Sequence, residues 1–360
     1  MKVLIISTVG LKYEGITSVI LSNVKAMNKE GLEIFVAGTI EVDATIRDEF
    51  EKNNCVIVDF PSRRTETMKY FRALYKFIHK NKIGVVHAHG NSATLSIELL
   101  AAWFAGCKKR IAHSHNTKCD QVKADKLLRP LFNKLYTDAL ACGTEAGKWL
   151  FGEKKFHVVT NGRDIEKFKF NEETRTLIRK EFDIEDKIVI GHVGGFLEQK
   201  NHSFLIEIFK AIHDMNQNTY FFLVGDGELK PEIERKVHEY DLDNCVCFTG
   251  LTNRVDQLLQ GMDGMLLPSK FEGLPLVAIE WQIAGLPCVL SDVITEECQC
   301  TDLVSFCSLK QPAEEWASKE LDLIKKNKRD LLTEQVIQSV RRAGFDINQS
   351  AEFLRKLYLE

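Results

Sequence analysis

The 360-residue chain has no run approaching the roughly 18 consecutive apolar residues of a membrane-spanning helix. Its opening, MKVLIIS, is too short for a signal-peptide core and has no small-residue cleavage site, so a first buried strand is expected there. Ten cysteines are present, yet none forms a C-x-x-C pair. Scattered free thiols in a reducing cytoplasm are therefore expected rather than disulfides. Low-complexity segments and short-period repeats are absent, which sets aside fibrous and solenoid architectures. The stretch YEGI (Tyr13–Ile16), where a dinucleotide fingerprint would fall, lacks G-x-G-x-x-G, so a dinucleotide-cofactor reading is disfavoured.

What is present is an ordinary globular composition, 44% hydrophobic and 28% charged, in a chain long enough for two domains. Charge is unevenly spread. Residues 1–165 carry 25 Lys and Arg against 17 Asp and Glu, whereas 166–360 carry 23 against 34. A basic front half and an acidic back half imply different partners. Short apolar runs such as VLIIS, EIFVAG and IGVVHAH alternate with helical periods, and the pattern restarts after a polar stretch from Asp164 to Lys187. That alternation predicts α/β domains with parallel sheets covered on both faces. We place the domains at 1–165 and 166–344, with a last helix in 345–360 packing back on the first. Ligands of such sheets bind beyond the carboxyl ends of the strands, so the residues just after each run are the candidates.

The stretch KFEGLPLVAIEW follows the run GMLLPS. Pro275 is expected as the first helical residue, leaving the Leu276 and Val277 amides free at the positive end of the helix dipole. Gly273, beside Leu274, lets a ligand approach the backbone, and the whole forms an anion site. Glu272 and Glu280 would repel a phosphate, so they suit neutral hydroxyls. A cap at Glu272 and a half-exposed Glu280 are the plainer alternative. Lys200, after Gly194 and Gly195, supplies a point charge for a diphosphate; a solvated surface lysine is its alternative. Gly225 in GDGE and Gly250 in FTG end two further runs and could frame a base and ribose. Gly15 opens the first helix. His87 and His89, like His113 and His115, fall at run ends on a shared face. Either pair could hold a metal, but a histidine hydrogen-bonding a sugar hydroxyl is preferred, and no metal is expected. The segment 65–82 reads as a helix whose buried stripe is Met68, Phe71, Leu74, Tyr75 and Ile78. Its basic face, with Arg63 and Arg64, could touch an anionic membrane surface.

Together these segments resemble glycosyltransferase family 4, the retaining nucleotide-sugar transferases of the GT-B fold. The residues that carry the resemblance are the E-x7-E spacing from Glu272 to Glu280, QKN at Gln199–Asn201, GDG at Gly225–Gly227, AGLPCVLSD at Ala284–Asp292 and NG at Asn161–Gly162. The chain is most similar to the bacterial members that build capsule, exopolysaccharide and other surface glycans. The resemblance implies two Rossmann-like parallel-sheet domains facing a cleft, the second holding the donor and the first the acceptor. Glu280 would bind ribose, Glu272 the transferred sugar, and Lys200 with the Leu276 and Val277 amides the diphosphate. Gly15 would approach the phosphates and His115 the reacting sugar, with His113, His89 and Asn161 as further candidate sugar contacts. It implies no metal and no cofactor, a hexosyl donor carried on UDP, a lipid-linked or glycan acceptor, and a cytoplasmic enzyme, peripheral on the inner membrane face through 65–82. No nucleic-acid partner is implied. One position departs: family members have Arg where this chain has Gly195, and Arg163 or Arg254 would have to supply the lost cation. A sugar-nucleotide-binding protein with lost catalysis, or an epimerase of the same architecture, is therefore kept as an alternative.

Overall fold

The structure is a computed structural model that describes residues 1–12, 15–40, 42–327 and 329–360. It divides into two compact units, Met1–Gly162 with Gly344–Glu360, and Arg163–Ala343.

The first unit is built on seven parallel strands: β1 (Lys2–Ser7), β2 (Glu33–Gly38), β3 (Cys55–Ile57), β4 (Val85–His89), β5 (Lys109–Ser114), β6 (Asp138–Ala141) and β7 (His157–Val158). Their order is β3-β2-β1-β4-β5-β6-β7. The chain steps outward from β1 in one direction, then returns past it to β4, so the order reverses between β1 and β4. Val3, Ile5, Val36 and Val85 face one core, and Leu4, Ile6, Ala37 and Val86 the other. Continuous apolar runs arise because both sheet faces are covered. The helix Ile347–Leu359 belongs to this unit. It packs beside the helix Gly15–Ala26 and contributes Ala351, Leu354, Leu357 and Tyr358 to the core. Gly162 lets it do so, since a Cβ there would stand 2.6 Å from the Ile347 Cα.

The second unit repeats the plan with β8 (Ile188–Val193), β9 (Thr219–Val224), β10 (Val246–Gly250), β11 (Gly264–Leu267), β12 (Cys288–Ser291) and β13 (Val304–Cys307), ordered β10-β9-β8-β11-β12-β13. Its switch point lies between β8 and β11. Both units thus carry the strand order of nucleotide-binding doubly wound sheets. Asn171 caps the helix that leads into β8, accepting from the Thr174 amide, as its residue type predicts.

Two sequence expectations are corrected here. The helix Thr67–Asn81 buries Tyr70, Leu74 and Ile78, while Met68 is 64% exposed. The stripe is rotated because Tyr70 turns its ring onto Phe60, at 6.0 Å between centroids. Arg63 is not on the basic surface: it is buried and bonds Glu98 at 2.7 Å and the Thr94 carbonyl at 2.8 Å. All ten cysteines are free thiols.

Candidate active site

The second unit's switch point is flanked by the segments that follow β8 and β11. After β8 the chain passes through Gly194 and Gly195 into a short 3-10 turn, Glu198–Lys200. Asn201, left-handed at φ 57°, then caps the helix His202–Met215. Three hydrogen bonds stitch this segment to the one after β11: Lys270 N to Gln199 O at 2.8 Å, Gln199 Nε2 to Phe271 O at 3.0 Å, and Asn201 Nδ2 to Pro268 O at 3.1 Å. The stitching places Lys200 Nζ 2.6 Å from Glu272 Oε1. Glu272 also accepts from Ser269 Oγ at 2.8 Å and Gln199 Nε2 at 3.1 Å. Lys200 and Glu272 are 16% and 9% exposed, so this is a largely desolvated pair at the mouth of the sheet. Ser269 and Gln199 were not singled out in the sequence as partners, although both lie inside the quoted motifs.

The helix Leu276–Ile283 starts one residue later than expected. Pro275, at φ −75° and ψ 94°, is its cap rather than its first turn. Leu276 and Val277 remain the first two helical residues, whose amides have no partner four residues back. A Cβ on Gly273 would meet nothing within 4 Å, so the backbone there is open to a ligand, and Leu274 beside it is half-buried. On the same helix Glu280, 15% exposed, pairs with Arg163 at 3.1 Å, a contact bent too far to count as a hydrogen bond. Burial raises the Glu280 carboxyl and the Arg163 charge opposes that rise. Arg163 is in turn lowered by burial and supported by Glu280. Of the two cations named to replace the one missing at Gly195, Arg163 is therefore held by the second glutamate. Arg254 forks onto Glu181 at 2.7 and 3.1 Å.

The glycines divide into two kinds. At Gly225 (φ 140°) a Cβ would fall 2.2 Å from the Gly194 carbonyl oxygen, and at Gly227 2.7 Å from the Phe196 backbone. Gly250, left-handed at φ 69°, accepts the Gly225 amide at 3.1 Å. The GDG and FTG turns are thus needed for strand ends to approach one another. Gly195 is different: a Cβ there meets only ordinary contacts from 3.6 Å outward.

In the first unit Gly15 is the first residue of its helix, with nothing within 4 Å of an added Cβ; Tyr13 and Glu14 of YEGI lie outside the described residues. The histidines at the ends of β4 and β5 come together. His89 Nδ1 lies 2.8 Å from His115 Nε2, and His87 bridges Tyr358 Oη at 2.7 Å and His113 Nδ1 at 3.1 Å. His115 is also fixed through its backbone amide, which donates to Asn91 Oδ1 at 3.0 Å; Asn91 carries no motif that the sequence reading used. Burial pushes His115 down to about 4 and drives His87, His89 and His113 well below the ordinary imidazole value. His89 and His113, 3% and 1% exposed, sit behind half-buried His115, so neither reaches a sugar without a change in this packing. Asn161 keeps a buried Oδ1 with no partner.

Twin Rossmann-like sheets, with a paired lysine and glutamate at one switch point, define the class. A family model described as glycosyl transferases group 1 matches residues 174–340, and the chain belongs to that family. Among individual relatives, the putative glycosyltransferase EpsF of Bacillus subtilis (strain 168) is 33% identical over 311 residues, spanning 82% of this chain and 80% of that one. The Escherichia coli UDP-Gal:alpha-D-GlcNAc-diphosphoundecaprenol alpha-1,3-galactosyltransferase is 27% identical over 319 residues, 81% and 79% of the two chains. Anabaena HepE, solved in complex with UDP, superposes with a TM-score of 0.80 at 16% identity over 99% of both chains. A glycosyltransferase from Rickettsia africae ESF-5 superposes with a TM-score of 0.77 at 14% identity, over 99% and 98%. The fold is GT-B and the chain is a glycosyltransferase.

Proposed function

We propose that the protein transfers a hexosyl group, with retention, from a UDP-linked donor to a hydroxyl of a lipid-linked or growing glycan acceptor. The observation that carries this reading is the Lys200–Glu272 pair, held between the carboxyl ends of β8 and β11. An ammonium offers three donors, so Lys200 can keep Glu272 and still take a phosphate oxygen. The Leu276 and Val277 amides add dipole charge at the same end of the strands. Charge on the departing diphosphate is then met by lysine and backbone, and neither metal nor cofactor is required of the transfer. Glu272 and Glu280 accept hydrogen bonds from sugar and ribose hydroxyls, and the departing phosphate takes the acceptor proton in a front-face attack. His115, neutral at ordinary pH, is a hydrogen-bonding group toward the sugar rather than an acid.

The relative of defined activity named above acts on a diphosphoundecaprenol-linked substrate, which favours a membrane-borne acceptor here. No helix of the described residues is long and apolar enough to cross a membrane. Peripheral attachment through the first unit fits its surface. Lys69, Arg72, Lys76, Lys80 and Lys82 are exposed on and just past the helix Thr67–Asn81. Trp103, Phe104 and Leu127 are exposed in the same unit.

The test is transfer from a panel of nucleotide sugars to polyprenyl-diphosphate sugars, with NMR assignment of the new anomeric centre. Glu272→Ala and Lys200→Ala should each cut transfer by about 10²–10³. Full turnover in both variants, an inverted product, or donor conversion without acceptor would each overturn the reading.

A further inference from the structure

The histidines behind His115 form a group with a geometry of its own. The parallel register sets His89 opposite His113, and alternate residues of a strand share a face, so His87, His89, His113 and His115 line one side of the sheet. Ring centroids lie 4.1 Å apart for His87–His89, 4.9 Å for His89–His113 and 4.3 Å for His113–His115. His87, His89 and His113 each bring a ring nitrogen within 4.8 Å of the others, and all three are buried.

A chain of neutral hydrogen bonds accounts for part of this arrangement. It runs from Tyr358 Oη to His87 and on to His113 Nδ1, and it leaves His113 Nε2 buried with no partner. The 3.1 Å between His87 Nε2 and His113 Nδ1 has a second meaning. Two nitrogens bound to one tetrahedral zinc at about 2.0–2.1 Å lie about 3.3 Å apart. Two of the three far nitrogens are also engaged as those of metal-bound histidines are, the exception being His113 Nε2. His87 Nδ1 meets the Tyr358 hydroxyl and His89 Nδ1 meets His115, which fixes both rings and leaves each Nε2 for a ligand bond.

We propose that His87, His89 and His113 bind one divalent transition-metal ion of the zinc class, with Tyr358 as the outer-shell group that orients His87. A set made of imidazoles suits zinc, whereas magnesium and calcium require oxygen ligands. Three protein nitrogens leave a fourth position for water or hydroxide. The ion ties β4 to β5 and, through Tyr358, to the helix Ile347–Leu359. It stands apart from the diphosphate chemistry proposed for the second unit, which does not use it.

The experiment uses the full chain, stripped with a chelator and titrated with Co²⁺. Tetrahedral or five-coordinate cobalt gives visible absorbance bands that Zn²⁺ then bleaches. We expect one ion per chain, no signal in His87→Ala or His113→Ala, and an unchanged signal in His238→Ala, which alters an exposed histidine. Tyr358→Phe should weaken binding 10- to 100-fold. Should the core variants fail to fold, histidine-ring NMR of the parent decides, because zinc must move the His87, His89 and His113 resonances together. Absence of stoichiometric binding in the parent, zinc-induced shifts confined to other histidines, or full binding in a folded His113→Ala variant would each overturn the proposal.

Discussion

Lys200→Met removes the ammonium from a carboxylate that is 9% exposed and retains two neutral donors, Ser269 Oγ and Gln199 Nε2. A charge-assisted hydrogen bond is worth about 1.5–3 kcal/mol, and the two remaining bonds keep part of the carboxylate solvated. We expect a loss of about 2 kcal/mol, below the about 3–5 kcal/mol for breaking a fully buried pair because Lys200 keeps 16% exposure. At about 2–4 °C per kcal/mol, the melting transition of the second unit falls by about 4–8 °C. Glu272→Gln should cost somewhat less, because its orphaned ammonium can turn to solvent. The double variant, with neither charge, should regain about half or more of the summed loss. Transfer should behave otherwise, staying about 10²–10³ down in all three variants, because the charge that meets the diphosphate is missing or misplaced in each. The assay pairs calorimetric unfolding with initial rates on saturating donor. Return of activity together with stability in the double variant would show that the pair is structural only. Additive destabilisation, with no recovery, would show that the two groups are not coupled in solution.

Other outcomes follow from single positions. Glu320 is fully buried, and burial raises its carboxyl far above its ordinary 4.5, against smaller opposing contributions from the Met265 and Val289 backbone. The folded protein therefore holds a proton that the unfolded chain releases above about pH 4.5. The Glu320 contribution is intact below that pH and declines as pH rises, by about 1.4 kcal/mol per unit until the folded group ionises. Glu320→Gln should remove this slope, so its advantage over the parent in urea titrations should grow from pH 5 to pH 8. Gly195→Arg should leave unfolding within about 0.5 kcal/mol of the parent, because a side chain there meets only ordinary contacts, while tightening donor binding in calorimetry. Gly225→Ala should destabilise by well over about 1 kcal/mol, since the new methyl meets the Gly194 carbonyl at 2.2 Å on a positive-φ backbone.

The two-sheet plan was readable because parallel strands covered on both faces leave continuous apolar runs, of which VLIIS and EIFVAG are examples. That Lys200 and Glu272 lie beyond strand ends was readable because they follow such runs and the topology gathers strand ends. The bond between Lys200 and Glu272 was not. It joins segments 72 residues apart, and spacing assigned one to phosphate and the other to sugar without placing them in contact. The rotated stripe of the helix Thr67–Asn81 was missed because Met68 and Tyr70 are both apolar enough to be buried, and the aromatic contact with Phe60 decides between them. GDG reads as a ligand loop, and the structure adds a packing reason for its glycines. Glu320 left no local sign, because a glutamate amid EEWASKELD looks like any solvated helix face.

The helix Ile347–Leu359 closes the core of a unit whose other residues end at Gly162. During synthesis, therefore, the domain made first cannot be the domain finished first. Its apolar floor, where Leu354, Leu357 and Tyr358 will later lie, stays uncovered while the ribosome adds the 181 residues of Arg163–Ala343. It is completed only after the last turn has left the exit tunnel. A chain lacking the helix Ile347–Leu359 would keep every residue of the second unit and leave the first unsealed.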